Sequence, residues 1–422
     1  MLIFVMKNIQ NIHQPDEWII SREKQGVPFC SSVDIRDAGF KVAVVDTNLF
    51  PAGFNNLCEE SLTKASLVLR KILLSKGNES RTVLIVAEAH TRNLWYLENV
   101  FSLRSIVLQA GYDVKIVAPL DQNDFENFQG FPVKLQTALG NTLEVGSLSE
   151  AVKRQKKGDL NVGFVIMNND LMQGVPEELL NWRVPIYPSP ISGWHFRRKS
   201  RHFDEMNKVV SDFFTKDKKD PWLYSCLHRV CRNVDIHNEK DRLRMSMEAE
   251  NLLGSIQKKY QEYGVTQKPF LFIKADYGTY GMGVHAFEDA KEITQINRKT
   301  RNFLHKGKSS KVVNQFLLQE GVPSSVKVKD KCSEVCVYQM NNEYIGSFYR
   351  VNGNKNDRQN LNSKGMFFQK MCTSDQINLN SRCANDCSSD EKNSKLELYK
   401  KLARLSGIAA HQEVEEMKLR WA

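Results

Sequence analysis

The chain has 422 residues, and its 59 Lys and Arg against 49 Asp and Glu give a formal net charge of +10. That length exceeds one small domain, and 41% hydrophobic with 26% charged residues is a globular mix that excludes global disorder, collagen and coiled coil. The apolar opening Leu2–Met6 falls far short of a membrane span or a signal-peptide core, and the nine cysteines form no CxxC pair, which argues against a disulfide scaffold or zinc site; a cytoplasmic chain is expected.

Lys41–Asp46 (KVAVVD) reads as a buried strand, and 60–76 as a helix through Leu62, Leu67, Leu69, Ile72 and Leu73. Thr82–Ala87 (TVLIVA) is a second strand, 92–110 a helix stopped by Gly111, and Asp113–Ala118 (DVKIVA) a third strand. This β-α-β-α-β order predicts a parallel sheet with helices on its faces, joined by Asn161–Met167. The stretch 121–160, with a basic run at Lys153–Lys157, predicts an insertion or a peripheral hairpin. Helices are expected over 203–215 and 241–263.

After 264 the texture changes. Strands are expected at Pro269–Ala275, Val284–Phe287, Val313–Gln319, Glu334–Met340 and Tyr344–Val351, with a tight Asn341-Asn342 hairpin between the last two. The Ser-, Asn- and Asp-rich 373–394, beside Cys372 and containing Cys383 and Cys387, reads as an exposed loop, and 395–417 as an amphipathic helix. The fold class expected is α/β: an N-terminal parallel-sheet half over 1–264, then an α+β half over 265–422.

The most informative stretch is Ile273-Lys274-Ala275-Asp276-Tyr277-Gly278-Thr279-Tyr280-Gly281-Met282-Gly283-Val284. Three glycines between two strands let backbone N–H groups wrap an anion, and Lys274 adds a point charge nearby. No Lys-Ser or Lys-Thr follows the last glycine, so it is no Walker A loop; a strand rather than a helix follows, so it is no Rossmann fingerprint. The pattern predicts a hairpin flap over nucleotide phosphates, a plain flexible hairpin being the alternative. Gln319 and Glu320 end a strand where an adenosine could lie. Arg350 is placed to pair with a phosphate, and Asn360 and Asn362 offer amide oxygens suited to Mg²⁺.

These blocks, with INRKTRN (296–302), QEGV (319–322), GSFYRVN (346–352) and NLNSKG (360–365), resemble the proteobacterial-type glutamate–cysteine ligases, whose ATP-binding half is ATP-grasp-like. DIRDAGFKVAVVDTNLFPAGFNNL (34–57), AEAHTRNLWYLENV (87–100), MNNDLMQGVP (167–176) and GWHFRRKSRHF (193–203) extend the resemblance over roughly 34–420. It implies an ATP-dependent ligase for small molecules, with ATP and Mg²⁺, joining the γ-carboxylate of L-glutamate to L-cysteine in the first step of glutathione biosynthesis, with no nucleic-acid or membrane partner.

On that resemblance, Lys274 and Arg350 are the catalytic candidates. Lys274, Gly278, Thr279, Tyr280, Gly281, Met282, Gly283, Gln319 and Glu320 go to ATP, and Asn360 and Asn362 to the metal. Asp46, Asn48, Asn55, Asn56, Glu88, His90, Arg92 and Asn169, at or beyond strand ends, with Arg197 and Arg198, become amino-acid-binding candidates. No Glu-x-Asn follows residue 366, which leaves Glu334 and Asp357 as fallback carboxylates for the metal. Two other readings stay open: an ATP-grasp ligase for another amino-acid pair, and a basic, non-enzymatic nucleotide- or nucleic-acid-binding protein.

Overall fold

The computed structural model describes residues 16–77, 80–89, 93–119, 132–180, 182–278, 283–305, 312–371 and 395–419. Strands β1 (Cys30–Asp37) and β2 (Val42–Asn48) pair antiparallel. Only four residues join them. Ala38 N–H donates to the Lys41 carbonyl at 2.8 Å, and Gly39 turns the chain at φ 83°.

A second sheet takes β3 (Thr82–Ala87), β4 (Asp113–Ala118), β5 (Val133–Gln136), β6 (Thr142–Ser147), β7 (Val162–Asn168) and β8 (Ile186–Tyr187), in the order β5-β6-β4-β3-β7-β8. All its pairs are parallel except the β5–β6 hairpin at the edge. Every residue of β7 is buried, as a strand covered on both faces requires. Val83, Ile85, Phe164 and Ile166 pack with helices Glu59–Ser75 and Leu94–Gln109. On the opposite face, Leu84, Val86, Val165 and Met167 pack with helix Leu148–Lys157.

The third sheet is antiparallel, β11-β10-β12-β9, built from β9 (His228–Arg232), β10 (Leu271–Ala275), β11 (His285–Phe287) and β12 (Gln315–Glu320). Finally β13 (Lys327–Val328), β14 (Lys331–Met340), β15 (Glu343–Asn352) and β16 (Met366–Met371) complete the first sheet in the order β16-β15-β14-β1-β2, with β13 on β14. Asn341 and Asn342 both take positive φ, 50° and 60°, the turn their sequence predicts. One core joins the two antiparallel sheets: Leu271, Ile273, Phe316 and Leu318 meet helix Glu239–Glu262, while Val33, Ile35, Val335 and Val337 meet helix Leu396–Leu419.

The mixed α/β class is as expected, and one assignment within it is corrected. The run KVAVVD does not open the parallel sheet; it is β2, antiparallel to β1 and on the far side of β1 from β14. An unbroken apolar run is compatible with either kind of sheet, and the four-residue connection to β1 forces a hairpin. Two of the three sheets thus take strands from both sides of residue 264. The stretch 121–160 holds the expected hairpin, but its basic run is helix Leu148–Lys157. Residues 372–394, with Cys372, Cys383 and Cys387, lie outside the described residues.

Candidate active site

The three sheets meet at a cavity of about 770 Å³. One wall is a face of the first sheet. There Asp34 stands opposite Asp46, and Glu334 opposite Arg350. Carboxylates facing each other across a strand pair repel, and here each is held by a cation. Arg350 Nη1 donates to Asp34 Oδ2 at 2.8 Å and to Glu334 Oε1. Arg36 Nε donates to Glu334 Oε2 at 2.8 Å, and Lys199 Nζ to Asp46 Oδ1 at 2.6 Å. Burial pushes the Glu334 carboxyl up, but Arg36 and Arg350 overcome it and hold it below the usual carboxylate range. Asp46 follows the same logic: burial raises it, yet Lys199 and Lys274 bring it down to about 2. With 38% of its side chain exposed, Asp46 opens onto the cavity.

The facing wall is β10, with Phe272, Lys274 and Ala275, followed by Tyr277 and Gly278. The β1–β2 register slips between Asp34 and Ile35 and skips Val45. The Val45 carbonyl, left out of the ladder, accepts from Lys274 Nζ at 3.0 Å. Burial lowers the Lys274 ammonium to about 8; Asp46 works against that and Lys199 with it. Asp276, fully buried, caps helix Lys199–Phe214 from another element: its carboxylate accepts from Ser200 N–H and Ser200 Oγ, both at 2.7 Å, while Arg198 at the N-cap position makes no side-chain cap. This joint sets Lys199 beside Asp46 and fixes the base of the glycine-rich turn.

The third side comes from the carboxyl ends of β3 and β7 and from the loop after β2. Tyr96 Oη accepts from Glu88 N–H at 2.7 Å and donates to the Asn168 carbonyl at 2.9 Å, bridging the two strand ends. The Pro51 carbonyl accepts from Asn99 Nδ2 and Asn168 Nδ2, and the Ala52 carbonyl from Tyr338 Oη at 2.8 Å. The loop carrying Asn55 and Asn56 is thereby stapled between a parallel and an antiparallel sheet.

Of the residues singled out from sequence, Asp46, Asn48, Asn55, Asn56, Glu88, Lys274, Gly278, Arg350, Asn360 and Asn362 line this one cavity. Others are placed elsewhere. Glu320 is buried, accepting from Lys41 Nζ at 2.7 Å, Trp222 Nε1 at 3.0 Å and Leu227 N–H at 2.9 Å. Gln319 is buried beside it in β12, and neither lines the cavity. Arg197 is 1% exposed and turned to Glu413, with Nη2–Oε2 at 2.8 Å. Arg198 donates to the carbonyls of Phe196 and Arg197 with its guanidinium 5.3 Å from the Tyr277 ring centre. Asn169 caps a turn by accepting from Leu171 N–H, and Gly283 is off the cavity wall. His90, Arg92, Thr279, Tyr280, Gly281 and Met282 lie outside the described residues.

Sequence reasoning gives no role to Asp34, Arg36, Lys199, Tyr96 or Trp194. Asp34-Ile35-Arg36 carries a signal, since polar residues flanking an apolar one alternate across a strand. Among the described residues no three His, Cys, Asp or Glu side chains gather as a metal cage. Asp34, Glu334, Asn360 and Asn362 do line one cavity, oxygen donors of the kind a hard divalent cation takes when phosphates supply its other ligands. Asp357 is not among the lining residues; its carbonyl accepts from Arg36 and from Ser324 N–H.

A mixed α/β protein with a large cleft, lined by aromatic and charged residues, at the junction of parallel and antiparallel sheets is the class that fold and site define. The family model for glutamate-cysteine ligase (GshA) matches residues 5–414. A solved structure from Methylobacillus flagellatus KT, provisionally named a gamma-glutamylcysteine synthetase, is similar at 32% identity and a TM-score of 0.81, over 98% of this chain and 96% of that one. A search of curated proteins returned no match. The chain belongs to the glutamate–cysteine ligase family and is a ligase enzyme. The match favours neither a different amino-acid pair nor nucleic-acid binding. Among the described residues no helix is long and apolar enough to cross a membrane.

Proposed function

We propose that the cavity joins the γ-carboxylate of L-glutamate to the amine of L-cysteine through an acyl phosphate. ATP with Mg²⁺ is the phosphoryl donor, clasped between the two antiparallel sheets in the ATP-grasp manner. The supporting observation is that Lys274, Gly278, Arg350 and the polar ends of β2, β3 and β7 share one cavity. On this reading residues 265–422 supply most of the nucleotide contacts and residues 1–264 most of the amino-acid contacts.

A γ-carboxylate oxygen attacks the terminal phosphorus of ATP, the bond to the bridging oxygen breaks, and ADP leaves. The cysteine nitrogen then attacks the acyl carbon, the carbon–oxygen bond to phosphate breaks, and the amine proton departs with the phosphate. Lys274 and Arg350 face the transferring group from opposite walls and stabilise its charge in a site of low dielectric. Arg36 keeps Glu334 paired while Arg350 turns to the phosphoryl group. Mg²⁺, when bound, neutralises phosphate charge; Asp34, Glu334, Asn360 and Asn362 are the residues that would hold it.

The test is ADP release with ATP and Mg²⁺ while the amino acids are varied. Turnover that needs glutamate and cysteine together is expected. Equal turnover with an unrelated pair overturns the reading.

A further inference from the structure

Two buried polar atoms in one corner of the cavity have no partner among the described residues, and they are opposite in kind. Asn168 is 3% exposed. Its Nδ2 donates to the Pro51 carbonyl at 2.6 Å, which fixes the amide orientation and leaves Oδ1 an acceptor without a donor. Trp194 is 2% exposed, and its Nε1–H is a donor without an acceptor. Both residues line the cavity. They belong to one corner, because Trp194 N–H donates to the Asp170 carbonyl at 3.0 Å, two residues beyond Asn168. Leaving such atoms unpaired is costly, so an orphaned acceptor and donor together in a ligand cavity indicate complementary groups on what binds there.

The surrounding charges have the matching signs. Glu88 and Asp170 line the same cavity as Asn168, at the ends of the neighbouring strands, and are tied to each other through Asp170 N–H to Glu88 Oε1 at 3.4 Å. Against the Trp194 ring stand two cations, the Lys199 ammonium at 4.7 Å from its centre, which also holds Asp46, and the Arg197 guanidinium at 5.0 Å. An acceptor beside anions receives an ammonium; a donor beside a cation receives a carboxylate. We propose that this corner binds the zwitterionic α-head group of an amino-acid substrate, its ammonium toward Asn168 Oδ1 and its carboxylate toward Trp194 Nε1. Neither atom is exposed to the open cavity, so binding needs the side chains that cover them to move aside. The assignment rests on the ligase reading and adds to it the residues that recognise the head group.

Trp194→Phe deletes the indole N–H and keeps most of the ring. The KM of either glutamate or cysteine is expected to rise about tenfold, the cost of one hydrogen bond to a charged group, with the KM of ATP unmoved; which KM rises names the occupant. Binding can also be read on the wild type itself, whose indole-¹⁵N spectra resolve its six tryptophans. The resonance lost in Trp194→Phe is expected to shift with that same amino acid added without ATP. A resonance that neither amino acid moves overturns the proposal, leaving water as the occupant. Amino-acid KM values that stay put, or a change confined to ATP, also overturn it. No glutamate- and cysteine-dependent ADP release by the wild type would instead defeat the ligase reading, and the spectra still decide the subsite.

Discussion

Two arginines, alike in sequence as candidates for binding anions, meet carboxylates in opposite settings. Arg197 and Glu413 are each 1% exposed and close a sealed ring: Arg197 Nη1 donates to the Thr47 carbonyl at 3.3 Å, Thr47 Oγ1 meets Ser406 Oγ at 2.8 Å, Ser406 meets His202 Nε2 at 3.3 Å, and His202 Nδ1 lies 3.6 Å from Glu413. Arg350, with Asp34 and Glu334, forms the wall of the cavity, and of its two partners Glu334 has a second cation in Arg36. The lesson is that an ion pair's role follows from what else can reach it. In the sealed ring every charge has its protein partner and the pair anchors the C-terminal helix. In the cavity wall the same chemistry can be exchanged for a substrate.

The largest effect separates the two on stability. Glu413→Ala strands a buried guanidinium and is expected to cost about 3–5 kcal/mol, read as a lowered denaturation midpoint. A loss below about 1 kcal/mol would break the contrast. Next, Arg350→Ala is expected to lower kcat/KM for ADP release by about 100- to 1,000-fold. Its midpoint should move less than that of Glu413→Ala, because Arg36 still holds Glu334. Wild-type turnover in this variant would dismiss the site assignment.

Lys274 stands on the other wall of the cavity, in β10. Lys274 carries its charge below about 8 and loses it above, so affinity for a phosphate-bearing ligand should fall as pH rises through that value, by up to tenfold per unit. Calorimetric titration of nucleotide at pH 7 and 9.5 reads this, and Lys274→Arg should flatten the profile since a guanidinium stays charged. A wild-type affinity that is level across that span would contradict it. The smallest effect belongs to the sealed ring again. Ser406→Ala should cost about 1 kcal/mol of stability while leaving the amino-acid and ATP KM values in place; a moved KM would show that the ring tunes the site.

Much of the fold and part of the site are legible in the residue order. The runs TVLIVA and DVKIVA announce a buried parallel sheet, Asn341-Asn342 announces its hairpin, and Lys274 and Gly278 are placed at one cavity with Arg350. Glu320 misleads because a carboxylate at a strand end looks the same whether it meets a ligand or, as here, Lys41 and Trp222. Lys199 escapes notice because its neighbours Arg197 and Arg198 are the stronger anion binders by type, while Asp276 capping the helix at Ser200 sets Lys199 toward Asp46.

The amino-acid order by itself determined many of the helices and strands, several turns, and which family's blocks it carries. Those properties depend on neighbours a few residues away. It did not determine that β14 would pair with β1, that β2 would lie near Lys274, or that Arg350 rather than Arg197 would face the cavity. These were settled by partners far along the chain: Asp34 lies 316 residues from Arg350, and Glu413 lies 216 from Arg197. Burial and charge neutralisation act through space, and only the folded chain decides which groups share it.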